Sequence, residues 1–196
     1  TTVSGYSATG DISLMQAVDY AYVSTGNGLY EFDGTNLYAT KRIKVTITNG
    51  GTGYTNATVT VSGGSPVEAA EIEATVADGA VTILNLTNKG RGYTSAPTVT
   101  ISGDGSNATA TAELIDPPSG TLGVWHTNRM FMAGMSGLSD TIRVSDILDP
   151  SYWGVSNSFR VGGGEGEAVT ALKSWDVTTL LVFKEASTYL VQTDPA

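Results

Sequence analysis

Thr48-Asn49-Gly50-Gly51-Thr52-Gly53-Tyr54-Thr55 is matched by Thr87-Asn88-Lys89-Gly90-Arg91-Gly92-Tyr93-Thr94, a spacing of 39 residues between Tyr54 and Tyr93. Self-similarity at such a period marks one supersecondary unit used twice. The match runs on downstream. Ala57 followed by Thr58-Val59-Thr60-Val61-Ser62-Gly63 corresponds to Ala96 followed by Thr98-Val99-Thr100-Ile101-Ser102-Gly103, with Pro97 as an insertion. Each copy closes on an Ala-rich alternating stretch, 70–76 and 108–114.

Each copy reads as strand, turn, strand, turn, strand. Val45 and Ile47 alternate with Thr46 and Thr48, the period-two pattern of a strand with one buried face, and Leu84 and Leu86 do likewise. Asn49-Gly50 or Lys89-Gly90 then supplies positive φ, and the second glycine, Gly53 or Gly92, lets the chain turn again before the tyrosine. Tyr54 and Tyr93 are expected to cap a small core, burying the ring while the hydroxyl reaches water or a backbone carbonyl. Between the copies, Ala77-Asp78-Gly79-Ala80 is a hairpin turn that joins a strand from Ile72 to Val76 with one from Val81 to Leu86.

Outward from the repeat the pattern changes. Upstream, 20–24 and 29–32 read as strands joined at Gly26-Asn27-Gly28 and followed by the turn Asp33-Gly34-Thr35-Asn36, a β-meander. Downstream, Asp116-Pro117-Pro118-Ser119-Gly120 is a stiff, non-helical connector over 116–120. Strands follow at 129–133, 141–145, 168–174, 179–183 and 188–192. The fold class is all-β: a partial, propeller-like meander domain at 1–40 plus 119–196, interrupted by a small sandwich-like domain of two repeats at 41–116. A linear string of three modules is the alternative.

Composition narrows the function classes. The 24 Gly, set among frequent Thr, Ser, Val and Ala, favour strands and tight turns over helices. The apolar run 180–183 is far short of the roughly 20 residues of a membrane-spanning helix, so no membrane span is expected. Thr1-Thr2-Val3-Ser4-Gly5 has no signal-peptide character, and the missing initiator Met reads as the mark of a fragment. A formal charge of −9 repels phosphate backbones, which argues against sequence-specific nucleic-acid binding. With no Cys there are neither disulfides nor thiolate metal sites, which suits a reducing compartment.

Candidate chemistry is thin. His126 is the only histidine, so it is the one possible centre of a Ser-His-Asp triad with Ser136, Ser139, Asp140 or Asp146, but no Gly-x-Ser-x-Gly elbow accompanies it. The carboxylate pairs Glu165 with Glu167 and Asp146 with Asp149 have the composition of a glycosidase pair, the first in a glycine run that fixes no separation. Asp33-Gly34-Thr35-Asn36 and Asp104-Gly105-Ser106-Asn107 offer oxygen ligands without the 12-residue loop of a calcium site, and turn chemistry accounts for both. No enzyme, metal or cofactor is expected. Tyr54, Tyr93, Tyr152 and Trp153 form a possible sugar-stacking set, against core or interface packing as the plainer reading.

The stretches Trp125-His126-Thr127-Asn128-Arg129-Met130-Phe131-Met132-Ala133-Gly134, Val144-Ser145-Asp146, Asp149-Pro150-Ser151-Tyr152-Trp153 and Leu180-Leu181-Val182-Phe183-Lys184 resemble β-propeller proteins of bacteriophage tails, including nozzle or hub proteins. Gly28-Leu29-Tyr30-Glu31-Phe32-Asp33-Gly34-Thr35 is similar to the tip of a propeller hairpin, and the Gly-x-Gly-Tyr-Thr repeat to small β units of phage and bacterial surface proteins. The resemblance implies a virion protein assembled in the bacterial cytoplasm as a homo-oligomeric ring with other tail, adaptor or fibre proteins. Trp125 and Trp153, with Gly53, Tyr54, Gly92 and Tyr93, would then serve as structural turns or interface. The strands legible here suffice for about two four-stranded blades. A carbohydrate- or host-surface-binding module of a tail fibre or bacterial surface protein is the alternative.

Overall fold

The structure, a computed structural model, describes residues 10–163 and 166–194. Strand follows strand in chain order: β1 Ser13–Ala17, β2 Tyr20–Thr25, β3 Gly28–Phe32, β4 Leu37–Ala39, β5 Arg42–Thr52, β6 Ala57–Ser62, β7 Glu71–Ala77, β8 Ala80–Asn88 and β9 Thr98–Gly103. The series continues with β10 Ser106–Ile115, β11 Gly120–His126, β12 Arg129–Met135, β13 Thr141–Val144, β14 Ser158–Arg160, β15 Val169–Ser174, β16 Thr179–Lys184 and β17 Thr188–Gln192. No helix occurs among the described residues, so none is long and apolar enough to cross a membrane. The chain divides into two compact units, one of Thr1–Ala39 with Pro117–Ala196 and one of Thr40–Asp116.

In the first unit three antiparallel meanders follow one another, β1-β2-β3-β4, β11-β12-β13-β14 and the three-stranded β15-β16-β17. That is more than the two blades the sequence suggested. The difference lies in β1, β4, β11 and β14, which are short, flanked by turns or, in β11, interrupted by Gly120 and Gly123, and so carry little period-two signal. The opening strands β1, β11 and β15 lie beside one another in succession, and the sheets stack face to face.

Strand β12 shows how the stack is held. Successive side chains leave a strand on opposite faces, and β12 buries both. Met130 and Met132 join Met15, Ala17, Tyr22 and Leu29 of the first meander, while Phe131 and Ala133 join Ile142, Leu180 and Val182 on the other side. Gly123 faces the first meander too, since a Cβ there would stand 2.4 Å from Met15 Sδ. A strand apolar on both faces is what a middle sheet requires.

The second unit contains the repeats, β5–β7 and β8–β10, and they do not fold separately. The first strand of each copy pairs with the third strand of the other: β5 with β10 and β8 with β7. The middle strands β6 and β9 pair antiparallel with Thr60 opposite Thr100, which are equivalent positions in the two copies. Val59 faces Ile101 and Val61 faces Val99, so a local two-fold axis passes through the Thr60/Thr100 pair. Each copy holds the three strands expected of it, and the hairpin expected at Ala77-Asp78-Gly79-Ala80 joins β7 to β8; β6 also pairs with β7 inside the first copy, Thr58 opposite Glu73. The hairpin at Asp78-Gly79 has φ of 52° and 77°, both positive as a type I′ turn demands.

Candidate functional site

The two Gly-Tyr turns have one geometry. Asn49 Oδ1 accepts the Gly51 N–H at 2.9 Å, and Asn88 Oδ1 accepts the Gly90 N–H at 2.9 Å. Gly51 and Gly90 lie at φ +70° and +62°, and at each the tyrosine ring three residues later folds back over the missing side chain: a Cβ would stand 2.7 Å from Tyr54 and 2.9 Å from Tyr93. Each ring also meets a glycine of the opposite copy, Gly105 for Tyr54 and Gly64 for Tyr93, where a Cβ would stand 2.4 and 2.8 Å away. Each ring is thus clamped between its own repeat and its twin. Gly53 and Gly92, at φ +76° and +70°, turn the chain between the first glycine and the ring.

Tyr93 is fully buried in a cluster with Ile43 and Ala70, and its hydroxyl oxygen accepts the Ala70 N–H at 2.7 Å. Tyr54 is buried as well. The exchange is reinforced at Asp104, whose carboxylate accepts the Thr55 and Asn56 N–H groups and the Thr55 hydroxyl. Those bonds, the hydroxyl's first, hold the Asp104 carboxyl far below the usual carboxylate range.

In the first unit Trp125 is half-buried against the Met15, Met130 and Met132 cluster, and Trp153 is buried in it with its indole N–H donating to Pro150 O at 3.0 Å. Buried Tyr54, Tyr93 and Trp153 offer no open ring face to a sugar, and of the four aromatics considered for stacking only Tyr152 is exposed. That sugar-stacking set is therefore corrected: glycine-bearing turns and the core cover its rings. The more open indole belongs to Trp175, 70% exposed in the β15–β16 turn.

His126 ends β11 and is 3% exposed, with Phe131 edge-on at 5.7 Å. Its Nδ1 lies 2.9 Å from Ser174 Oγ and its Nε2 2.7 Å from Thr193 Oγ1. Thr193 Oγ1 gives its hydrogen to Thr178 O at 2.9 Å, so it accepts from Nε2–H, and Nδ1 accepts from Ser174. Both ring nitrogens are thereby engaged with hydroxyls in a staple between the second and third meanders, not in a triad with an orienting carboxylate. Burial pushes the His126 pKa below its ordinary value, with Asp176 opposing at longer range.

A histidine kept neutral by the fold takes up its proton more readily when unfolded, so its contribution is complete above the unfolded pKa of about 6.5 and is lost as pH falls below it. We expect urea unfolding to show stability declining from pH 7.5 to pH 5 by up to about 1.4 kcal/mol per pH unit over the titrating range, and His126→Gln to flatten that slope. An unchanged slope in the variant would assign the effect to other groups.

The carboxylates are occupied locally. Asp33 Oδ1 accepts the Thr35 and Asn36 N–H groups at 2.8 Å each, Asp146 accepts from Asn157, and Asp149 from Ser151. Glu165 lies outside the described residues, and Glu167 accepts from the Ser187 hydroxyl. Among the described residues no group of three or more His, Cys, Asp or Glu is placed to hold a metal.

What sequence reading missed is the pair of outer sheet faces in the first unit. The hydrophobic clusters occupy one face of β1–β4 and one face of β15–β17. The opposite face of β1–β4 carries Leu14, 78% exposed, with Val23 and Phe32, and that of β15–β17 carries Leu190, 68% exposed, with Leu181 and Phe183. The signal was present in Leu180-Leu181-Val182-Phe183, four successive apolar residues where a half-solvated strand would alternate.

No family model matches this sequence, and no curated protein does. Among solved structures, the crystal structure of the computationally designed Ika4 protein is similar at 12% identity and a TM-score of 0.35, over 98% of this chain and 96% of that one. At that TM-score the likeness does not define a shared fold.

Proposed function

We propose that this chain is a structural module of a bacteriophage tail or neck, working mechanically in the virion by assembling with further copies of itself and with neighbouring tail proteins. The observation that supports this most is the stack of three meanders ending on two open apolar faces, since such faces in a scaffold are contact surfaces. The other features agree with a scaffold. His126, Asp146 and Asp149 bond neighbouring groups of the fold, and a charge of −9 would keep passing DNA from adhering. Mass spectrometry of gradient-purified particles from a phage-producing culture tests the reading: the protein is expected at a fixed copy number per particle, and its confinement to the host's soluble fraction would overturn it.

A further inference from the structure

Sheet-on-sheet packing is how the first unit is built. Each internal contact sets the apolar face of one meander against the next, with opening strands β1, β11 and β15 in sequence. The stack stops at both ends on faces of the same character. On β1–β4 the pairings Leu14 to Val23 and Ala21 to Phe32 place these side chains, with Gln16, on the outer face, and none is charged. On β15–β17, Lys173 pairs with Leu181 and Leu181 with Leu190, so Lys173 is the one charged side chain among the outward-facing Ala171, Leu181, Phe183 and Leu190.

We infer that the outer face of β15–β17 seats on the outer face of β1–β4 of a second copy, head to tail, continuing the stacking seen inside the unit. This rests on the reading of the chain as an assembling structural module. Three things favour a second copy as the occupant. The contact continues a packing mode the unit already uses twice. Each chain carries one face of each kind, so a heterologous contact covers both at once, whereas a face-to-self pairing leaves the other kind open. Charge also fits: residues 1–39 contain Asp11, Asp19, Glu31 and Asp33 and neither Lys nor Arg. Lys173 lies one residue from the end of β15, and Asp19 and Asp33 lie in the turns that follow β1 and β3.

The geometry also limits the number of copies. Radially stacked meanders close with about four to eight sheets, and three sheets per chain reach that range as a closed set of two copies.

Sedimentation velocity and native mass spectrometry of the purified 196-residue chain test this. A particle of two 20.3 kDa chains is expected. Leu14→Lys and Leu190→Lys alter exposed positions and should each leave the circular dichroism unchanged while weakening the dimer at least tenfold. Mixing the two variants should restore a two-chain particle, because the intact β15–β17 face of the first fits the intact β1–β4 face of the second. A monomeric wild type at every concentration overturns the inference, as does a dimer that survives either substitution or a mixture that stays monomeric. A larger wild-type particle overturns the count of two. Protein found in virions but monomeric in solution would refute this contact alone, while a dimer absent from virions would refute the virion reading.

Discussion

Tyr93→Ala is expected to unfold the repeat-bearing unit at temperatures where the parent chain is folded. Tyr93 fills the centre of that unit, its ring held between Gly64 of one repeat and Gly90 of the other and its oxygen accepting the Ala70 amide. Truncating a buried aromatic to alanine typically costs about 3–5 kcal/mol, and here it also strands the Ala70 N–H. A unit of this size has total stability of the same order, so the loss removes most of it. Tyr93→Phe separates the contributions: it keeps the ring, deletes the acceptor, and should cost about 1–3 kcal/mol for the buried amide left without a partner. Chemical denaturation followed by circular dichroism checks both, and an Ala variant within 1 kcal/mol of the parent, a threshold well below the ordinary cavity cost, would show that the clamp is not central.

Met132→Ala should produce the comparable effect in the other unit. Met132 is buried where the first and second meanders meet, and its sulfur lies 3.8 Å from Ser24 Oγ. Its position over Gly120, where a Cβ would stand 2.6 Å from Met132 Cγ, shows how closely that glycine admits it. Methionine-to-alanine changes in cores cost about 2–5 kcal/mol, the spread reflecting how far the site collapses. Because Gly120 and Gly123 have no side chains with which to fill the gap, the upper part of that range is expected. A proton spectrum should show the resonances of Tyr22 and Trp153, in the same cluster, broadening first.

Period-two alternation located β5 and β8 directly, because it reports one buried face: they stand where Val45 and Leu84 place them. The turn residues were as informative, since Asp78-Gly79 requires positive φ whichever strands it joins. Legibility failed where the physics is not local. Two similar copies give the same alternation whether a strand pairs within its own repeat or with the twin, so the pairing of β5 with β10 was not legible, whereas that of β7 with β8 was, from the turn between them. Tyr54 and Tyr93 were read as caps with a reachable hydroxyl, because one of the two glycines against each ring, Gly105 or Gly64, comes from the other copy. The staple at His126 likewise depends on Ser174 and Thr193, distant in sequence. The outer faces were discernible in Leu180–Phe183, but only as strands wanting two neighbours, and not as faces with one neighbour missing.

The exchange between repeats also sets an order of events during synthesis. On the ribosome β5 emerges with β6 and β7, but its partner β10 follows only after the whole second repeat, from Ala80 onward, has been made. Until then β5 is an unpaired strand edge, open to pairing with another nascent chain. Closure of the unit is therefore a late, non-local step, and non-local pairings of this kind fold slowly. A copy of the protein interrupted between Asp78 and Gly79 would be left with a strand that has nothing to bind except another unfinished molecule.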